Sequence, residues 1–232
     1  MKSSNTIQTA PVILAFEAST KQLSVAVYMN GSVRAMQKIE APFGQAAELV
    51  PLAIRTLADI GVEFSSLSHV AAGCGPGSFT GLRVSLAAAK GVCLARDIIG
   101  LGISGLEALA FSSSGVLNGL PVLCIADTRR GNVYAQLFAS DITPRGTIFE
   151  AQIDQLPFLV PASICADGLM LAGFGGLAAK MAFAANGLVA TPVSFGNKQN
   201  ESIVDAGMIA TMAAKKIMLG EFPPLVPLYL AD

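Results

Sequence analysis

The sequence predicts an α/β protein of two lobes, each built on a mixed β-sheet, with the second lobe a duplicate of the first. Three observations lead there. Residues 12–104 read as strand, strand, strand, helix, strand, helix, strand: a meander followed by crossovers to parallel neighbours. From Val122 the opening of that pattern repeats at an offset of 110. The chain is also 53% hydrophobic over 232 residues, yet holds no stretch suited to a bilayer.

Only 13% of residues are charged, about half the roughly 25% of soluble domains, and the mean hydropathy is +0.59. Ala108 to Ala126 is uncharged but contains Ser112, Ser113, Ser114, Asn118 and Pro121. Met181 to Asn197 is broken by Asn186, Gly187 and Pro192. A spanning helix needs about 20 mostly apolar residues in a row. Val12 to Phe16 is too short for a signal-peptide core and stops at Glu17. The expectation is a cytoplasmic protein that makes no use of the membrane, with residues 1–11 a disordered extension. With few charges to cover the surface, some apolar area should remain exposed, which favours a partner or a homodimer. A net charge of −1 gives the chain alone no field to hold nucleic acid, so any RNA role would run through a complex.

Cys74, Cys93, Cys124 and Cys165 form no C-x-x-C pair and read as thiols in a reducing compartment. His69 is the only histidine. No zinc motif is therefore formed, and no Ser-His-Asp triad unless His69 is its base. His69 precedes the apolar run VAAGCG, where a structural role fits best.

In chain order, Val12 to Phe16 is a continuous apolar run, as in a strand buried on both faces. Leu23 to Tyr28 alternates, Asn30-Gly31 is a hairpin signal, and Val33 to Ile39 is a third strand. Gln45 to Gly61 has helical spacing, with Leu49, Leu52, Ala53 and Leu57 on one stripe and Pro51 in its early turns. Val70 to Gly73 is a strand leading into GPGSFTG, then Leu82 to Arg96 a helix and Ile98 to Ser104 a strand. In the second half VILAFEAST falls on VLCIADTRR, so that Glu17 meets Asp127, and Leu23, Val25, Val27 and Tyr28 meet Val133, Ala135, Leu137 and Phe138. Strands are expected at Thr147–Ile153, Ser163–Ala166 and Leu188–Thr191. Helices are expected at Gly175–Ala185 and Ser202–Leu219, before an extended tail, FPPLVPLYLAD. The lobes are then 12–104 with 201–220, and 105–200, followed by the tail 221–232.

Three segments, ILAFEASTKQLSVAVY, GCGPGSFTGLRVSLAAAKG and IADTRRGNVYAQLF, resemble the bacterial TsaB (YeaZ) family over nearly the whole chain. GPGSFTGLR is the specific signal. The closing P-L-Y-L agrees with the family's Pro-x-Tyr-Leu-Arg, with Ala231 in place of Arg, and Gln45 stands where many relatives have His. The resemblance implies the two-lobed actin/sugar-kinase/Hsp70-like ATPase (ribonuclease H-like) fold. It implies a role in making threonylcarbamoyladenosine on tRNA, as the non-catalytic partner of the transferase TsaD, with the ATPase TsaE joining them. It also implies that the two helices of the first lobe form the bundle that meets TsaD or a second copy.

The fold points to candidate residues. In ATPases of this kind an acidic group at the end of the first strand holds Mg²⁺ through water, and the following turn offers N–H groups to phosphate. Here the turn is Glu17-Ala18-Ser19-Thr20, with the longer Glu for Asp and a Cβ on Ala18 where Gly would allow close approach. Its counterpart is Asp127, followed by Thr128, Arg129 and Arg130, two arginines suited to an anion. GPGSFTG lies between a strand and a helix, so Gly75, Gly77, Ser78 and Thr80 are anion-site candidates. It matches neither the Walker A loop nor G-x-G-x-x-G. A rigid turn presenting Phe79 and its helix to a partner is the stronger reading. That helix is apolar nearly all round, so Phe79, Leu82, Leu86, Ala89 and Cys93, with Leu49, Leu52 and Ala53 of the preceding helix, are the expected partner interface. No catalytic or metal-binding residue is expected, and no cofactor for the chain alone, with ATP or ADP and Mg²⁺ placed only at an interface with partners. Two other readings share the residues: an active ATPase or sugar kinase, against which the altered EAST turn speaks, and a metal-dependent glycoprotease, which needs about three ligands that one histidine does not suggest.

Overall fold

The computed structural model describes residues 10–40, 45–193 and 203–229. Nearly all of the expected N-terminal extension lies outside the described residues, as do Ser202, Ala231 and the side chain of Gln45.

The first lobe opens with a meander of β1 (Ile13–Glu17), β2 (Gln22–Met29) and β3 (Ser32–Glu40), turning at Asn30 and Gly31, both with positive φ. Helix α1 (Gln45–Ala58), β4 (His69–Gly75), α2 (Phe79–Arg96) and β5 (Ile99–Ser104) complete it. The chain continues through α3 (Gly105–Ser113), β6 (Val122–Asp127), β7 (Val133–Phe138) and β8 (Phe149–Ala151). It ends through α4 (Leu156–Leu159), β9 (Leu169–Gly173), α5 (Gly176–Ala185), β10 (Ala190–Pro192) and α6 (Ala206–Met218).

The two sheets have one topology. Their strand orders are β3-β2-β1-β4-β5 and β8-β7-β6-β9-β10, with an antiparallel meander on one side and parallel neighbours on the other. The internal duplication is therefore real, but its register needs a correction. Phe16 pairs with Val25 on the outer face of the first sheet, and Ile125 pairs with Ala135 on the outer face of the second. The second strands match at an offset of 110, the first strands at 109, because the turn after β6 is one residue longer. Glu17 thus corresponds to Ala126, and Asp127 stands one position beyond. Since successive side chains of a strand point to opposite faces, the slip gives the two acids different surroundings.

Other boundaries move. Ser163–Ala166 is not a strand: Ala162–Ile164 is a single 3₁₀ turn and the strand is β9, further on. Helix α2 begins at Phe79, capped by the Ser78 hydroxyl accepting from the Gly81 N–H. Among the described residues α6 begins after Asp205, whose Oδ1 accepts from the Met208 N–H, and Oδ2 of Asp205 holds Lys38 at 2.6 Å. Helix α3 was not expected at all.

Helices α3 and α6 lie between the sheets. Leu106, Leu109, Ile209, Ala213 and Ile217 pack there against inward residues of both lobes, such as Ala15, Leu101, Cys124 and Phe138. Helices α1 and α2 cover the outer face of the first sheet, with Leu14, Phe16, Leu52 and Leu86 in that core. The outer face of the second sheet packs Leu123, Leu156 and Phe183. The tail runs along β5, where the Gly102 N–H donates to the Pro223 carbonyl, and reaches the end of β4, where the Leu228 N–H donates to the Cys74 carbonyl. No helix among the described residues is long and apolar enough to cross a membrane.

Candidate functional site

The cleft between the lobes is where an ATPase of this fold would hold Mg²⁺ and phosphate. Glu17 ends β1 and is 1% exposed. Its Oε1 accepts from the Ser19 N–H, while Oε2 is buried and has no hydrogen-bond partner among the described residues. The carboxyl lies against the backbone of Gly73, where any Cβ would overlap it. Burial pushes its pKa up to about 7, opposed by hydrogen bonds from Ser19 and supported by the nearby charge of Asp205. The carboxyl lies on the same face of β1 as Ile13 and Ala15, buried toward the inner core, where its neutral form is favoured.

The turn after Glu17 is closed on itself and on its neighbour. Ser19 is buried, and the Thr20 hydroxyl donates to the Gln22 carbonyl and accepts from the Gln22 N–H. The GPGSFTG loop presses on this turn. The Ser78 N–H donates to the Ser19 carbonyl at 2.9 Å, and a Cβ on Gly81 would overlap the Ala18 carbonyl, while one on Gly77 would come within 2.8 Å of Ser19. These glycines give close backbone packing between two turns. Gly75 faces Leu82 and the tail at Leu228, and Thr80 is on the exposed side of the first turn of α2.

The turn after β6 engages its own donors too. The Arg129 N–H donates to Oδ1 of Asp127 at 2.7 Å, the Arg130 N–H to the Thr128 hydroxyl, and that hydroxyl to the Asn132 carbonyl. Across the cleft the Lys21 ammonium lies 5.9 Å from the centre of the Phe174 ring. The space lined by Ser19, Thr20, Gly77, Asp127, Arg129 and Val204 is about 50 Å³, against roughly 300–1,000 Å³ for small-molecule sites. A Mg²⁺–nucleotide does not fit this space: the Glu17 carboxyl is buried and does not line it, and about 50 Å³ is too small. Among the described residues no three His, Cys, Asp or Glu side chains gather as a metal site.

The outer helices form the second candidate site, and here the expected interface needs correction. Leu49, Leu52, Ala53, Leu82, Leu86 and Ala89 are at most 4% exposed, and all face the chain's own core. Cys93 is half-buried against the same core, where burial pushes its thiol pKa up. Of these seven, Leu49 still borders the groove described next and Cys93 is partly open, while the other five offer almost no surface to a partner. Of the eight, Phe79 is the exposed one, at 53%. The open face lies one helical step round. It carries Ala46, Val50 and Ile54 on α1, at spacing of four, and Phe79, Arg83 and Ala87 on α2. Between the helices runs a groove of about 420 Å³ lined by Ala46, Val50, Phe79, Val84, Ala87 and Ala88. Sequence periodicity found both helices but assigned the wrong stripe, since the face with larger side chains is the one the sheet takes.

His69 accepts or donates at 2.9 Å between Nδ1 and the Ser68 hydroxyl, and stacks on Phe222 of the tail. Burial lowers its pKa. It holds the tail and faces none of the candidate acids.

Comparison with known proteins agrees with the fold and extends it. Residues 44–161 match the family described as TsaD: tRNA N6-adenosine threonylcarbamoyltransferase. The tRNA threonylcarbamoyladenosine biosynthesis protein TsaB of Escherichia coli is 31% identical over 122 residues, 53% of this chain and 52% of that protein. The protein of that name from Bacillus subtilis is 31% identical over 126 residues, 54% of each. In these alignments the chain spans about half the length of the relatives. The structure of YeaZ from Pseudomonas aeruginosa superposes with a TM-score of 0.75 at 22% identity, over 95% of this chain and 100% of that one, a likeness of fold. With half of its residues matched by the family's own pattern, the chain belongs to the TsaD family, and within that family it is TsaB (YeaZ) that it resembles.

Proposed function

We propose that this chain is a non-catalytic subunit in the formation of threonylcarbamoyladenosine on tRNA, the partner of a TsaD-type transferase. The observation that carries this reading is the mutual packing of the EAST turn and the GPGSFTG loop. These two turns bond to each other, beside a buried carboxyl. A lobe so closed serves as a rigid body that presents a surface. The surface is the groove of α1 and α2, where Val50 and Ile54 are 49% and 53% exposed in a row with Ala46. Its small residues allow a second helix pair to come close, as a four-helix contact requires. The same face makes a homodimer when the transferase is absent, and TsaE joins the assembled pair. ATP or ADP with Mg²⁺ is placed at the interface with partners, a reading supported by the small space beside the EAST turn. The experiment is reconstitution of tRNA modification from a TsaD-type transferase, TsaE and threonylcarbamoyl-AMP, with and without this chain. Modification that depends on the chain supports the reading. Full modification without it overturns the reading.

A further inference from the structure

Beside the closed cleft lies a second, open cavity. It holds about 620 Å³ between the GPGSFTG loop, the turn after β6 and the tail, a volume suited to one small ligand or one nucleotide. Its walls combine two chemistries. Arg129 and Arg130 bring positive charge, and Phe79, Tyr134 and Tyr229 bring ring faces. Arg129 has φ +61, a left-handed conformation that a non-glycine residue adopts at some cost. Arg130 is held loosely, 3.2 Å from the Tyr134 hydroxyl and 3.9 Å from Glu150, with 71% of its side chain open. Tyr229 packs on Phe79 at 6.0 Å and still leaves 56% of itself exposed. The Arg83 guanidinium covers the Phe79 ring at 3.7 Å. Two arginines line the cavity, Arg130 near Glu150 and Arg129 with its N–H on Asp127.

We propose that this cavity takes one nucleotide of a single-stranded RNA, its base against Tyr134 or Tyr229 and its phosphate on Arg129 and Arg130. Ring faces next to guanidinium groups are what an unpaired nucleotide needs, because stacking and phosphate attraction act together at one step of the chain. A single such pocket holds RNA weakly, in keeping with the low net charge; it positions an unpaired loop while a partner supplies the remaining basic surface. The inference rests on the tRNA reading above and adds a direct contact to it. The cavity is separate from the α1 and α2 groove, although Phe79 borders both.

The test is fluorescence anisotropy with a fluorescein-labelled hexa-adenylate RNA titrated with the purified chain at low salt. Binding is expected, weakened about fivefold or more by Tyr229→Ala. Arg130→Ala is expected to weaken it and to reduce its salt dependence. Arg34→Ala, on exposed β3, should leave it unchanged. Absence of binding, or equal weakening by all three substitutions, overturns the proposal. AMP is the competitor that separates the sources. Displacement of the hexamer by AMP at equal nucleotide concentration marks a free-nucleotide pocket and overturns the assignment to RNA. Reconstituted modification that needs the chain, together with no hexamer binding, would refute this inference and leave the proposed function standing. Modification that proceeds without the chain would refute the proposed function whatever the hexamer does.

Discussion

Glu17 shows how one buried carboxyl can give a fold a pH dependence. Its position at the end of the first strand was plain from ILAFEAST, and the exchange of Gly for Ala18 in the turn was plain too. What the sequence did not reveal is the direction of the side chain, because Gly73, the residue that makes room for it, comes from a strand 56 residues away. The consequence is a pH dependence with a definite sign. The folded pKa of about 7 lies above the ordinary 4.5. The stability tied to the neutral carboxyl is therefore full below about pH 4.5 and is lost as pH rises to about 7. The loss is on the order of 3 kcal/mol, after which the curve is flat. Urea denaturation at pH 5 and pH 7.5 should show that fall in the natural chain and its absence in Glu17→Gln. Equal slopes in the two proteins would place the carboxyl elsewhere. Two glycines of α2 make a second contrast. Gly81→Ala drives a Cβ into the Ala18 carbonyl and should cost about 3 kcal/mol or more. Gly91→Ala meets nothing within 4 Å and should stabilise the helix by about 1 kcal/mol. Thermal melts of both variants check the pair, and similar shifts of the same sign would contradict the contact between the loop and the EAST turn.

Among the elements, those that face a sheet on one side and solvent on the other were readable. Strand β3 alternates and α1 carries a stripe, since burial differs between their faces, whereas β1 and β2 are buried on both faces and were readable from their apolar residues. Helix α3 carries neither: Leu106, Ala108, Leu109, Ala110 and Ser113 are all buried between the sheets, so its pattern has no polar side to mark a period. Strand β9 was misplaced because its LMLAG segment is short and buried, and such runs do not announce their type. The shift of one residue between β1 and β6 came from the longer turn, which an alignment without gaps cannot detect. The partner stripe was misread for a related reason. Leu86 and Leu52 look like an interface on a helical wheel, yet they fill the core over β1 and β4. Leu86→Glu should therefore lose folded protein, at a cost on the order of 5 kcal/mol, rather than merely lose a partner. A Leu86→Glu chain with the circular dichroism and melting temperature of the natural one would show that the helix sits differently.

At the level of the whole molecule, two lobes of one topology flank a cleft. The inner core formed with α3 and α6 joins the lobes, and the Lys21–Phe174 contact spans the cleft. Calorimetry with ATP and Mg²⁺ on the isolated chain should give a Kd worse than about 1 mM, roughly −4 kcal/mol. Micromolar binding would mean that the cleft opens and that the kinase-like reading deserves to replace the scaffold one. The central claim is that the chain acts through the exposed face of α1 and α2. Its most direct test is light scattering on an equimolar mixture with a TsaD-type transferase, comparing the natural chain with Ile54→Glu. Ile54 is 53% exposed, so the substitution should leave the melting temperature within a few degrees, as surface changes usually do, while placing a charge in the contact. The natural chain is expected to form the heterodimer, and Ile54→Glu to elute folded and apart from the transferase. A folded Ile54→Glu chain that binds the transferase as tightly as the natural one would contradict the account.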